Sequence, residues 1–288
     1  MTYIFLNMNL NDILQSLDCS GHFGHVVSTE EAIILHNSLL ILQNENHFKE
    51  VFFWGKIYGC EKDYFVAYGY EKDILYGKVF YYSQNCIDWG LMPKATKIGF
   101  LLAPLCSTKF QGDPSLIIDI LIEKDDTLVP GKRKQPELRK LKEEDRLAAT
   151  VYLIMDEAGI IPRAGIFRRP DGVVINNIAF EGLKGIDARE WSSYVHFRVP
   201  TRKQNTNLLT RDDYNYATDF LDPLDIDIPE GCWMLLINQS EDVVILKNLY
   251  WPGLVFYHHL RTPKHGFVYF GHGKKCLDVP FMLSPFLV

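Results

Sequence analysis

The sequence predicts an α+β protein, a mainly antiparallel β-sheet of meander and hairpins with a few packing helices. Three observations lead there. Short aromatic and β-branched runs bounded by turn residues recur along most of the chain. Only two segments carry a long helix signature. No regular alternation of strand and helix appears, which argues against a parallel sheet.

The first helix is signalled by Ser28 and Glu31, spaced as a capping box. The run TEEAIILHNSLLILQ follows, with acidic residues in the turn where the helix dipole favours them. Ile33, Ile34, Leu40 and Ile41 repeat at helical spacing and predict a buried face. Next come VFFWGKIYG, DYFVAYGY and KVFYYSQ, read as three antiparallel strands in a meander. Residues 121–136 combine mixed charge with Pro130-Gly131 and read as an exposed loop or linker. Pro136 then opens a second helix, ELRKLKEEDRLAATVYLIMDEA, with an apolar stripe through Leu138, Leu141, Ala148, Val151 and Met155 and charges on the other side. Gly159 is placed to end it.

Strands return after that. Pro170-Asp171-Gly172 makes a hairpin turn between AGIFR and VVINN. SSYVHFRV alternates, CWMLLI and VVILKNL flank a polar turn, and LVFYHHL pairs with GFVYFG. The predicted organisation is an N-terminal helical segment (1–48), a β-meander region (49–120), the loop (121–136), and a helix followed by hairpins (137–288). The last region forms one continuous domain with 49–120.

Net charge is −6 over 288 residues. An acidic chain without a strong basic patch argues against nucleic acid as a partner. The N-terminus lacks a charged n-region, and no apolar run approaches bilayer-spanning length, so neither a leader nor a membrane partner is expected. Six scattered cysteines without CxxC read as reduced thiols of the cytoplasm.

Four histidines, His258, His259, His265 and His272, crowd the C-terminal region, with Cys276 following. On a strand, His258 and His259 point to opposite faces, and His265 and Cys276 are expected outside the strands. No metal site is therefore predicted, since zinc needs paired ligands at tight spacing. Asp222, Asp225 and Asp227 lack calcium-loop spacing and read as an exposed acidic loop ended by Pro229. No phosphate loop or nucleophile elbow is present. Cys86 with His196 is a nominal nucleophile and base, but a buried inert thiol and a structural histidine are the expectation. No catalytic residue, cofactor or small-molecule substrate is predicted.

The segments FFWGKIYGCEKDYFVAYG, YSQNCIDWGLMP, KFQGDPS, IIPRAGIFRRPDG with FEGL, SSYVHFR, DFLDPLDIDIPEGCW and WPGLVFYHHLRTPKHGFVYFGHGKKCLDVPFML resemble the radial spoke head protein 9 family. They run in the family's order from about residue 50 to the end. The resemblance implies a non-enzymatic structural subunit of the radial spoke head in motile cilia and flagella, a scaffold passing mechanical signals between the central pair and the dynein arms. It implies a place in the cytoplasm and cytoskeleton, at the axoneme. Its implied partners are other radial spoke head proteins, those of the 4/6 type and further head subunits. The alternatives from the residues are a cytosolic adaptor binding partners through sheet edges and a small enzyme using the His/Cys region.

The last hairpin supplies a candidate partner surface. Pairing Leu260 with Gly266 puts Leu254, Phe256, His258, Leu260, Val268 and Phe270 on a core face. Val255, Tyr257, His259, Phe267 and Tyr269 then form the opposite face, expected to meet a partner or one of the protein's own helices.

Overall fold

A computed structural model describes residues 8–9, 27–122, 137–201, 214–228, 231–238 and 242–279. The predicted α+β class is what it shows, with the antiparallel sheet dominant. The main sheet begins with β1 (Met8–Asn9), β2 (Glu50–Ile57), β3 (Tyr64–Tyr70), β4 (Val79–Ser83) and β5 (Gly90–Leu91). The meander β2–β3–β4 is antiparallel as expected. The expected loop region is flanked by β6 (Ile117–Ile122) and β7 (Glu137–Lys142), which pair as a separate two-stranded sheet. Residues 123–136, most of that predicted loop, lie outside the described residues.

Short pairs follow. β8 (Ile160–Pro162) pairs with β11 (Tyr194–His196), and β9 (Ile166–Arg168) pairs with β10 (Val174–Asn176) across the predicted turn. There Gly172 takes φ +89°, a value its missing Cβ permits. β12 (Trp233–Asn238), β13 (Val243–Asn248), β14 (Leu254–His259) and β15 (His265–Gly271) return to the main sheet. Its order is β12-β13-β14-β15-β2-β3-β4-β5, with β1 against β2. Among its described strands, only β15 and β2 run parallel.

Both sheet faces are covered. On one side α1 (Thr29–Glu45) packs Leu35, Leu39 and Leu42 onto Phe53, Phe65, Val268 and Phe270. The Ser28–Glu31 capping box forms as predicted. The predicted buried face does not. Ile33, Ile34, Leu40 and Ile41 are exposed, and Ala32, Leu35, Leu39 and Leu42 are buried instead. Apolar residues surround this helix, so periodicity alone does not choose the face.

On the other side lies α3 (Glu143–Ala158), and the short α2 (Lys97–Leu102) rests against it. The second helix thus starts six residues later than predicted, because Glu137–Lys142 pairs with Ile117–Ile122. Long-range pairing overrides the helical propensity of ELRKLK. Leu138 is exposed, and Leu141 packs with Ile120, Leu102 and Cys106. Three acidic residues then fill the helix's first turn, where its dipole favours them.

The expectation that charges cover the outer side of this helix fails at two positions. Glu143 is fully buried. Its carboxylate accepts hydrogen bonds from Tyr64 Oη at 2.7 Å, from the amides of Gln111 at 2.9 Å, Gly112 at 2.7 Å and Asp113 at 3.1 Å. Arg146 is buried over the Phe110 ring, 4.1 Å from its centroid, and donates to Thr108 O at 2.7 Å. Together they hold residues 108–113 against sheet and helix.

Removing that carboxylate strands three amides and a phenol in the interior. Glu143→Ala is expected to lower unfolding free energy by about 3–5 kcal/mol. Glu144→Ala, which loses the Tyr82 bond, should cost under about 1.5 kcal/mol. Urea unfolding of the two variants checks the order. Equal losses would count against the buried acceptor.

Candidate functional site

The histidine-rich hairpin is the first candidate. Its observed register pairs Tyr257 with Gly266 and His258 with His265, displaced by three residues from the predicted one. The connection is one residue longer than expected, and two of its amides bond outside the hairpin. Leu260 N donates to Asp242 O and Arg261 N to Leu183 O, while His259 N donates to Lys264 O.

An odd displacement exchanges faces on one strand of the pair. Phe267 and Tyr269 therefore lie with Leu254 and Phe256 in the main core, not on a partner face. Val268 and Phe270, expected in that core, pack under α1. Val255 and Tyr257 do occupy the opposite face, buried with Val243 and Ile245, and His259 is half-buried beside Tyr257. The five residues predicted as one partner patch are thus divided between two faces.

His265, expected outside the strands, opens β15 and faces His258, with ring centroids 6.4 Å apart. Both are buried. His258 Nε2 accepts from Leu183 N at 3.1 Å, so Nδ1 carries the proton and donates to Lys264 O at 3.3 Å. His265 Nδ1 donates to Pro263 O at 2.8 Å. Phe180 and Phe256 wall the pair. Burial, reinforced by the neighbouring His265, drives the His258 pKa down to about 3. Burial drives that of His265 down to about 4. His272 is exposed against Tyr58, and Cys276 is half-buried. Among the described residues no group of three or more His, Cys, Asp or Glu could hold a metal ion.

A second candidate is a cavity of about 290 Å³ lined by His196, Asp227, Cys232, Trp233 and Trp251. His196 Nε2 lies 2.8 Å and 3.0 Å from the two Asp227 oxygens, and Trp233 Nε1 donates to Asp227 Oδ2 at 3.3 Å. Burial pushes the Cys232 thiol up to about 11, the wrong direction for a nucleophile. Trp251 Nε1 and Lys275 Nζ both donate to Glu157 Oε2, at 2.8 Å and 2.6 Å. Most of the polar groups here satisfy one another, with His196 Nδ1 left buried without a hydrogen-bond partner.

The acidic segment is not the exposed loop expected. Asp222 is buried, accepting from Thr201 N at 2.8 Å and lying 3.2 Å from Arg198. Asp225 alone of the three is exposed, since Asp227 bonds His196. Cys86 sits under α1 with its thiol pushed up to about 12 by burial, while His196 belongs to the layer across the sheet. The two do not form a catalytic pair. The other described cysteines, Cys60 and Cys106, are free thiols as well.

The apolar surface that sequence reasoning missed is on helices. Ile33 is 51% and Ile41 57% exposed on α1, and Leu101 is 72% exposed at the end of α2. The only advance signal was that α1 carries more apolar residues than one stripe can bury. At the sheet's free edge, β12 exposes Met234 and Leu236. No described helix is long and apolar enough to cross a membrane.

The histidine pair predicts acid sensitivity. Both rings are neutral in the fold, yet each takes up a proton near its ordinary pKa of 6.5 once unfolded. The unfolded state then binds more protons below that pH, so stability is full above about 6.5 and falls toward pH 4. Each histidine should contribute about 1.4 kcal/mol per pH unit, or ~2 kcal/mol between pH 6.5 and 5. His265→Leu should roughly halve the slope in that window. An unchanged slope in urea unfolding would place the acid-sensitive groups elsewhere.

The chain is similar to known proteins along nearly its whole length. The family model described as a radial spokehead-like protein matches residues 5–73, which extends the likeness into the N-terminal part. The radial spoke head protein 9 homolog of Danio rerio is 37% identical over 277 residues, covering 96% of this chain and 100% of the relative. Those of Mus musculus and Homo sapiens are 37% and 36% identical over 279 residues, with the same coverage.

Proposed function

The chain belongs to the radial spoke head protein 9 family, and from that premise we propose that it is a non-enzymatic structural subunit of the radial spoke head. In this reading it works at the axoneme of motile cilia and flagella. It transmits contact forces between the central pair and the dynein arms, bound to other radial spoke head proteins, those of the 4/6 type foremost. The carrying observation is end-to-end similarity at 37% identity, with 100% of the relative covered.

The structure supports the reading in three ways. A sheet buried on both faces is a stiff, close-packed body. The candidate catalytic groups are paired with one another, buried, or held in unreactive states. The outer face of α1 offers an apolar surface suited to a protein neighbour. For the five residues of the predicted patch, only Val255, Tyr257 and His259 retain a common face, and any partner contact there would form on an already buried strand.

Tagged chain expressed in ciliated cells and recovered with mass spectrometry should bring down radial spoke head proteins. Recovery of none at mild salt would overturn the reading. A double variant, Ile33→Asp with Ile41→Asp, should keep unfolding free energy within about 0.5 kcal/mol. It should reduce recovery of those partners by roughly ten-fold if α1 is a contact surface.

A further inference from the structure

A groove of about 610 Å³ lies between the β3–β4 connection, the loop before α2, the C-terminal half of α3 and the residues after β11. Phe80, Met155 and Phe197 are its buried apolar walls. Tyr76, Phe100 and Val199 are exposed at its margin. It is an open groove with an apolar margin at Tyr76, Phe100 and Val199, which suits an extended chain better than an enclosed metabolite.

Lys78 is the unusual member. Its Nζ donates to Phe197 O at 2.9 Å and lies 3.5 Å from the centroid of the Phe197 ring. No carboxylate among the described residues pairs with it. Asp73, the nearby acid on its own connection, is occupied by the amides of Leu75 at 2.8 Å, Tyr76 at 2.7 Å and Val174 at 2.9 Å. Asp156 on α3 acts on Lys78 only at longer range. Burial outweighs both acids and lowers the Lys78 pKa to about 7. A desolvated ammonium without a counter-charge is costly, and a carboxylate brought from outside would relieve it.

Two further cations, Lys94 and Arg198, line the groove. Lys94 is exposed at the mouth. Arg198 is already matched by Asp222 at 3.2 Å and Thr201 Oγ1 at 2.7 Å. Among the described residues Asp156 is the only acid of the lining, against Lys78, Lys94 and Arg198, so a chain of net charge −6 presents a cationic, aromatic groove here.

We propose that this groove receives a segment of a partner protein in which a carboxylate side chain stands next to a large apolar one. The carboxylate sits between Lys78 and Lys94, and the apolar side chain rests on Phe80, Tyr152 and Met155. The proposal builds on the reading of the chain as one subunit of a protein assembly.

The test uses the full chain and two labelled synthetic peptides of repeating Glu-Phe-Leu units, one with Gln replacing every Glu, followed by fluorescence anisotropy at low salt. The Glu peptide should bind about ten-fold or more tightly than the Gln peptide. Lys94→Glu, at an exposed position, should reverse that preference. Lys78→Met should weaken the Glu peptide by about ten-fold, and Lys184→Glu, outside the groove, should leave it unchanged. Equal binding of the two peptides, or a Lys94→Glu variant that binds like the unmodified chain, overturns the proposal. Octanoate is the small-molecule control. If it binds as tightly as the Glu peptide and displaces it, the groove is a metabolite site and the proposal fails. The assay needs no spoke protein. Failure of co-purification would leave a positive result standing, and failure here would leave the family reading standing.

Discussion

The parallel contact between β2 and β15 is the constraint on which the rest of the molecule depends. Without it the main sheet separates into two antiparallel runs, one from each end of the chain. The contact demands a glycine. Gly55 has φ +146°, and a Cβ there would stand 2.1 Å from Tyr269 O. It also demands a bulge. The pairing of β2 with β3 slips between Phe53 and Gly55, leaving Trp54 as the additional residue. Alternation puts Phe52 and Trp54 in the core beneath α3 while Phe53 faces α1, and the slip brings Ile57, three residues after Trp54, onto the α3 side as well. Trp54 then packs on Tyr269 with ring centroids 5.3 Å apart, across the same junction. The long crossover that any parallel pair requires is here most of the protein.

Closing the sheet this way makes both of its faces internal, which changes what its aromatic residues mean. From sequence, the Tyr and Phe residues of the last hairpin suggest a face for a partner. In the fold most of the sheet's aromatic residues fill two cores. Phe52 lies 5.1 Å from Tyr68 and Phe80 4.9 Å from Tyr152 on the α3 side. Phe53 lies 6.4 Å from Phe270 on the α1 side. On α1 the apolar residues left to solvent are aliphatic, Ile33, Ile34, Leu40 and Ile41. The capping box of α1 was legible because four neighbouring residues decide it. The choice of which face of α1 to bury was not, because the sheet makes that choice. The same division explains Glu137–Lys142, helical by local preference and a strand by pairing, and the last hairpin, whose register is set by carbonyls at Asp242 and Leu183 far along the chain.

Charge was misread for a related physical reason. A sequence shows that a group can ionise but not whether its partners arrive from elsewhere. Glu143 and Arg146 belong to a stretch dense in charge, where solvent exposure is the usual outcome. They are interior because residues 108–113 bring amides and a carbonyl to meet them. Asp222 and Asp227 follow the same rule with Thr201, Arg198 and His196. His258 is the converse case. Its alternation on a strand was readable, and its neutrality follows from burial beside another histidine that only the observed register places there.

These anchors bear on what the family resemblance consists of. The segment KFQGDPS contains the loop clamped by Glu143. YSQNCIDWGLMP contains Trp89, whose Nε1 donates to Ser38 Oγ on α1 at 3.1 Å, and Gln84, whose Nε2 donates to Gly112 O at 2.5 Å. IIPRAGIFRRPDG contains Arg163, which meets both oxygens of Asp219 at 2.6 Å and 2.7 Å. FEGL contains Gly182, at φ +95°, where a Cβ would stand 2.2 Å from Thr262 O. Each motif contributes an internal tie between elements distant in sequence. The likeness is therefore largely that of a frame, and a frame of this kind constrains its ties more tightly than its outer surface. For a subunit whose proposed work is to hold position under load, the ties supply stiffness. Specificity for a neighbour then has to reside on surfaces those motifs do not own. The outer face of α1 and the mouth of the groove at Lys94 and Phe100 are such surfaces, joined to the frame but free of its internal bonds.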